Sequence, residues 1–301
     1  MDTILAFLMI DEDIREKRTR HGPGFIHKVL NEYDDDEWER DFRMTKVTYY
    51  YIKRALEDYW NGYMAMDHVL LCYLYAISTG ECFRSLASRF SMSPTSVWNV
   101  LSTVGRLIIE HLKFQISYNI SLEEANIQKF LFGRSYNQPD AVAAMDGCFC
   151  PIKKPVKDGE QYYNRHKKQY GMTMLAVVDY NARFLYVLAG NSGKVGDSLI
   201  FNTSSLKRDI ESGNTVFDAD NCILCDSAFS NLEYIIKSTQ RIGSGSARAV
   251  VEHAFGQFKS QFRLFSTRSE LSPKQHTILL ASAVIVYNTI KSFQMSRVEI
   301  E

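Results

Sequence analysis

The hydrophobic period of the chain changes at Gln138-Pro139. Before that point apolar residues recur at helical spacing. After it they gather in strand-like runs, and a single layer cannot bury both patterns. The change predicts a helical region over 1–138 and an α/β domain over 139–301. At 301 residues the chain exceeds one small core, and a hydrophobic content of 46% excludes a disordered protein.

In the helical region, residues 1–62 read as polar and irregular, with the acidic run Asp34–Glu37 as a solvated face. Within Phe42–Trp60, Val47, Ile52, Leu56 and Tyr59 form a stripe expected in a core. Met66–Ser78 reads as an apolar helix ended by Gly80, and Phe83–Phe90 as a shorter one. Ser91-Met92 is a tight break, and Ser93-Pro94 supplies an N-cap and a first-turn proline for a helix to about Leu112. Short helix, turn and longer helix make a helix-turn-helix-like segment over about 66–112. Its last helix would present Thr95, Ser96, Trp98 and Asn99 to DNA, with charge from Arg84, Arg89 and Arg106. A plain helical bundle gives the same pattern and stands beside that reading. Residues 113–138 read as a helical linker.

Lys+Arg and Asp+Glu both number 35, so net charge does not steer the protein toward nucleic acid. Local basic patches or a basic partner must supply any affinity for DNA. Met1–Ile10 is apolar but lacks a basic start and runs into Asp11-Glu12-Asp13, so it is not read as a signal peptide. Ile278–Tyr287 is too short an apolar run to cross a bilayer, and no membrane association is expected. Six cysteines fit a reducing compartment. Cys148/Cys150 and Cys222/Cys225 lie in strand-like runs without a nearby histidine at zinc-site spacing, which favours buried apolar roles over a zinc site.

In the second region, strands are expected at Val142–Cys150, Gly171–Asp179, Phe184–Gly190 and Asn221–Asp226. A helix is expected at Ser198–Ile210 and another at Ala247–Phe262, with Val251, Phe255, Phe258 and Phe262 as its core stripe. Ser272-Pro273 caps a last helix to about Phe293. Against this frame four acids stand out. Asp146 lies inside the apolar run A-M-D-G-C-F-C, where an aspartate is costly to bury unless something binds it. Asp226 ends C-I-L-C-D, at the carboxyl end of a strand, where α/β sites collect. Asp197 lies in G-D-S. Glu252 lies four residues after Arg248 and seven before Lys259, all on one helix face; a surface pair with Arg248 is the plain alternative. Acids at two strand ends and on a later helix suit Mg²⁺ or Mn²⁺, two of which about 3.5–4 Å apart serve phosphoryl transfer.

The order of the motifs carries more than any one of them. A-M-D-G at 144–147, Y-Y-N-R-H-K-K-Q-Y at 162–170 and A-V-V-D-Y-N-A-R-F at 176–184 come first. G-N-S-G-K-V-G-D-S at 190–198, L-C-D-S-A-F at 224–229 and A-R-A-V-V-E-H-A-F-G-Q-F-K at 247–259 follow. Together they closely resemble the nuclease domain of Harbinger-type DDE transposases and their domesticated nuclease relatives. F-R-M-T at 42–45 and the three-helix segment also look like that family's N-terminal region.

The resemblance implies a ribonuclease-H-like domain with Asp146, Asp226 and Glu252 as its catalytic triad. Asp197 would join these three as a fourth metal ligand. It implies DNA nicking and strand transfer with a divalent cation, Mg²⁺ or Mn²⁺, and a nuclear location, with the cytoplasm before import. Arg165, His166, Lys167 and Lys168, the densest basic cluster, are assigned to DNA phosphates together with Arg248 and Lys259; for the cluster, a solvated hairpin tip is the alternative. A Myb/SANT-like DNA-binding partner is implied, and a homo-oligomer is left open. A non-catalytic DNA- or protein-binding descendant is the competing reading. The chain departs from the family between Asp226 and Glu252, where only 25 residues lie, including S-T-Q-R-I-G-S-G-S at 238–246. A lost edge strand and a misplaced Glu252 are the consequences to look for.

Overall fold

The computed structural model describes residues 24–237 and 249–298. Two compact units meet in the sequence at Leu112/Lys113. The expectations placed on Met1–Ile10, on 238–246 and on Arg248 lie outside the described residues.

The first unit is helical. Helix α1 spans Phe25–Asn31 and α2 spans Asp35–Phe42. The acidic run read as a solvated face is the start of α2. Asp34 accepts from the Glu37 N–H at 2.7 Å, and Glu37 accepts in return from the Asp34 N–H at 3.3 Å. The negative charges thus sit at the positive end of the helix dipole. Helix α3, Lys46–Glu57, buries Thr48, Tyr49, Ile52 and Leu56. Only half of the expected stripe is core, since Val47 is 57% and Tyr59 56% exposed. The buried line passes instead through Tyr49, whose hydroxyl donates to Asp67 at 2.5 Å.

Helices α4 (Met66–Thr79), α5 (Phe83–Arg89) and α6 (Pro94–Leu112) follow where the sequence placed them. Gly80 ends α4 in the left-handed region at φ 69°. Ser91 takes the same conformation at φ 52° in the break, and the Ser93 hydroxyl caps α6 by accepting from the Ser96 N–H at 3.0 Å. Arg89 is committed to packing. It pairs with Glu81 at 3.2 Å and lies over the rings of Tyr75 and Phe25. Arg84, Thr95, Trp98 and Arg106 are exposed.

The second unit is a mixed sheet between helices. Helix α7 (Leu122–Tyr136) starts in a capping box of Ser121 and Glu124. In the stretch read as a linker, it packs on β1 and puts Ala125 into the core. Strand β1 (Ala141–Pro151) is central. Strand β2 (Tyr163–Asn164) forms a short hairpin with β3 (Gln169–Val178), which runs antiparallel to β1. Strand β4 (Phe184–Ser192) is antiparallel to β3.

Helices α8 (Asp197–Asn202) and α9 (Ser205–Glu211) replace the single helix expected there. The Ser204 hydroxyl accepts from the Lys207 N–H and starts a new helix, as serines near a break tend to do. Strand β5 (Cys222–Cys225) runs parallel to β1, and β6 (Ile235–Lys237) parallel to β5. The edge strand that the short Asp226–Glu252 segment put in question is therefore present as a three-residue β6. Helices α10 (Ala249–Gln261) and α11 (Pro273–Val298) complete the unit.

Alternation along β1 divides the core. Ala143 and Met145 join Leu175, Val177, Ile223 and Cys225 beneath Ile200 and Phe201 of α8 and Leu206 and Ile210 of α9. On the other face Phe184 meets Phe258 of α10 and Tyr287 of α11 at centroid distances of 5.8 and 5.3 Å. The expected stripe Val251, Phe255, Phe258 and Phe262 is buried there. Asn288 accepts from the Phe184 N–H and donates to the Phe184 carbonyl, fixing α11 to β4. Among the described residues one helix, within Pro273–Met295, is long and apolar enough by length and composition to cross a membrane, and 61% of its apolar window is buried inside the domain.

Two buried titratable groups pull stability in opposite directions with pH. Asp179 directly follows β3, and its carboxylate accepts from the Arg183 N–H at 2.8 Å. Burial pushes its carboxyl up to about 6, against the pull of Arg183 and Lys291. His276 of α11 is fully buried with neither ring nitrogen hydrogen-bonded, and burial pushes it down to about 4. A raised acid costs stability above its folded value, and that cost disappears as pH falls from about 6 toward 4. A depressed histidine costs nothing above about 6.5 and progressively more as pH falls toward 4. Asp179→Asn removes the first effect alone. Urea unfolding should show the variant losing ground to wild type between pH 7 and 4, by as much as about 3 kcal/mol. A constant difference across that range would contradict the assignment.

Candidate functional site

The site begins with register. Parallel pairing sets Ala144 beside Leu224, so two residues further on each strand Asp146 and Asp226 come side by side on the same face. Asp146 is only 6% exposed, and Asp226 follows the last residue of β5. Asp226 accepts from the Ser227 hydroxyl at 2.9 Å and the Ala228 N–H at 3.3 Å, which hold its carboxylate at the strand end. Both acids act on the buried thiol of Cys225. Burial first, then the charges of Asp146 and Asp226, push it up to about 12. Two neighbouring carboxylates favour a cation beside them.

Asp197 approaches from elsewhere. It is the first residue of α8, and its carboxylate occupies the space a side chain on residue 147 would need. A Cβ built on Gly147 would stand 2.0 Å from Asp197 Oδ1. Successive residues of a strand point to opposite faces, so Asp197 meets β1 on the face away from the Asp146 side chain. The glycine after Asp146 is thus the gap that admits a second acid to the strand.

Glu252 lies in the first turn of α10 and is exposed. Lys259, two turns on and on the same side, donates to the Phe149 carbonyl at 2.6 Å and lies within hydrogen-bonding reach of Cys148. Its ammonium is therefore engaged with β1, and it anchors α10 across the strand that carries Asp146. Among the described residues no group of three or more His, Cys, Asp or Glu is drawn together to hold a metal ion. The register sets Asp146 and Asp226 each two residues beyond the Ala144–Leu224 pair, and Asp197 lies against Gly147. The structure does not gather Glu252 with them into such a group.

A span that runs from Met145 through Asp226 and Glu252 to Asn288 matches the family model described as DDE superfamily endonuclease, over residues 145–288. The span that holds Asp146, Asp226 and Glu252 is thus similar to DDE superfamily endonucleases. Over 207 residues, 63% of the chain, it is 24% identical to Protein ALP1-like of Arabidopsis thaliana. The match spans 49% of that protein, about half its length. No solved structure matches the chain. A DDE endonuclease domain implies a ribonuclease-H-like fold, and the mixed sheet, with helices on both faces, accords with it.

The basic cluster of that span, Arg165, His166, Lys167 and Lys168, is exposed at the tip of the β2–β3 hairpin, with Lys168 at φ 52°. It adjoins the loop that leads to Asp197 through a side chain the sequence reading passed over, Asn164. An asparagine opening a polar turn is the available signal, since it bonds its own backbone a few residues on.

The Gly147–Asp197 contact generates a thermodynamic test. Gly147→Ala should cost about 1–3 kcal/mol through overpacking. In an Asp197→Ala background the same change should cost at least about 1 kcal/mol less, a coupling expected of groups in contact. Thermal melts of the four proteins give the cycle, and equal costs in both backgrounds would refute the contact.

Proposed function

We propose that this chain is a metal-dependent DNA endonuclease of the transposase type, cutting a phosphodiester and joining the freed 3′-hydroxyl to a new strand. The placement of Asp146 in the middle of β1, with Asp226 just past the end of the neighbouring parallel strand β5, carries the reading. The donor set fits the cation. Mg²⁺ takes oxygen ligands and is commonly held by one or two carboxylates plus substrate phosphate. Asp146 and Asp226 would hold it, with Glu252 as the further acid; Asp197, set against Gly147 on the opposite face of β1, would stand away from that ion rather than serve as its fourth ligand. When bound, such an ion polarises the phosphoryl oxygen and helps to generate the nucleophile.

The remaining work falls to the chain's own groups. The exposed cations at 165–168 hold the strand by its phosphates without reading sequence. Lys259 keeps α10 in register with β1 through Phe149, so the helix bearing Glu252 is referred to the strand bearing Asp146. The helix-turn-helix-like segment α4–α6 offers Thr95, Trp98 and Arg106 on an exposed face as a second DNA contact. The formal net charge of +0 favours a separate DNA-binding partner of the Myb/SANT-like kind, and the substrate places the protein in the nucleus. A homo-oligomer is compatible with this reading.

A second reading is a non-catalytic descendant that keeps the fold and binds DNA or protein. The exposure of Glu252, which among the described residues belongs to no group of three metal-ligating side chains, favours it. A nicking assay on supercoiled plasmid with Mg²⁺ or Mn²⁺ separates the two. Wild type should nick, and Asp146→Asn should not. Melting with and without Mn²⁺ supplies the second axis, since an ion bound only by the folded state raises its stability. Glu252→Gln should abolish both cleavage and the Mn²⁺ shift without lowering metal-free stability. If Glu252 is only a surface partner of Arg248, the change costs a few tenths of a kcal/mol and leaves cleavage intact. Wild-type protein that neither nicks nor responds to Mn²⁺ would establish the second reading.

A further inference from the structure

We propose that Asn164 is a positioning residue that locks the basic hairpin to the loop carrying Lys194, so that Lys194 joins 165–168 as one phosphate-binding element. The proposal rests on the reading of that hairpin as a phosphate contact.

Asn164 is the last residue of β2 and pairs with Gln169 across the hairpin. Its side chain faces two ways at once. The Oδ1 atom accepts from the Lys167 N–H at 2.8 Å, which shapes the tip. The Nδ2 atom donates to the Gly193 carbonyl at 2.7 Å, which ties the tip to the loop after β4. An amide supplies both, whereas a carboxylate of the same shape cannot donate to a carbonyl. A second tie runs alongside, from the Ser192 hydroxyl to the Gln161 carbonyl.

The loop so held has no slack. The Gly193 N–H donates to the Gly171 carbonyl at 2.9 Å, and a Cβ on Gly193 would stand 2.5 Å from that oxygen. Lys194 follows directly and is exposed, and its own N–H donates to the Ser192 hydroxyl at 3.3 Å. Three residues later the same loop delivers Asp197 against Gly147. One short loop thus presents a cation next to the basic tip and an acid next to the Asp146 strand. A Lys194 ammonium brought toward Arg165, Lys167 and Lys168 would add to their like charge, and a phosphate among them would offset it.

The test is a double-mutant cycle read by fluorescence anisotropy on a labelled mixed-sequence DNA duplex over a salt series. In the wild-type background Lys194→Ala should lower the slope of log K against log salt by about one. In the Asn164→Ala background, where the hairpin tip is no longer tied to the loop, Lys194→Ala should change the slope by much less than one. Equal effects in both backgrounds would overturn the role of Asn164, and no effect in wild type would remove Lys194 from the element. Asn164→Asp keeps the bond to Lys167 and loses the one to Gly193, so it should show the same uncoupling even if Asn164→Ala does not fold. Lys167→Ala with Lys168→Ala isolates the underlying reading. If that pair leaves the slope unchanged, the hairpin itself is not a phosphate site and the proposal falls with it. If the pair lowers the slope while Lys194→Ala is additive with Asn164→Ala, only the locking role fails.

Discussion

Asp146 and Asp226 stand at matched positions on neighbouring parallel strands, and such strands run about 4.8 Å apart. Most of Asp146 is withdrawn from water. Like charges brought near each other repel, and a position withdrawn from water strengthens every charge interaction made there, with a partner or a cation alike. A folded protein keeps such a pair only where the surrounding packing is strong enough to impose it. The packing is of that kind, since Phe184, Phe258 and Tyr287 close one face of the sheet while α8 and α9 close the other.

The neighbourhood of Asp146 is fixed from both sides by contacts of different character. On one side Lys259 reaches from α10 to the Phe149 carbonyl, a charge-assisted bond that sets the helix against the strand. On the other the carboxylate of Asp197 fills the space over Gly147. Neither contact tolerates sliding of β1, so the strand, its acid and the loop that leads to the basic hairpin behave as one positioned body. Binding a phosphate strand and a cation to such a body requires little reordering, and this is how rigid elements make a site precise.

Much of this was legible before any coordinates. The position of β1, the end of β5 and the phenylalanine stripe of α10 follow from runs and periodicities that have one reading. The helices α4, α5 and α6 were marked by Gly80, Ser93 and Pro94. Tertiary contacts decided the places that were not legible. Asp34–Glu37 reads as a charge run until the reciprocal bonds of Asp34 and Glu37 make it a helix start. Val47 and Tyr59 sit at helical spacing yet face solvent, because Tyr49 takes the interior with Asp67 as its partner. Strands β2 and β6 are too short for any period to show. Gly147 was visible as a glycine after an aspartate, but its cause, an acid arriving from fifty residues away, is visible only in three dimensions.

The account depends on a cation bound by Asp146 and Asp226, and crystals grown in Mn²⁺ test that most directly. Anomalous scattering should place a manganese ion within about 2.0–2.6 Å of a carboxylate oxygen from each of the two residues. Crystals in saturating Mn²⁺ with no anomalous peak between Asp146 and Asp226, or with a lysine or arginine side chain in that place, would contradict it.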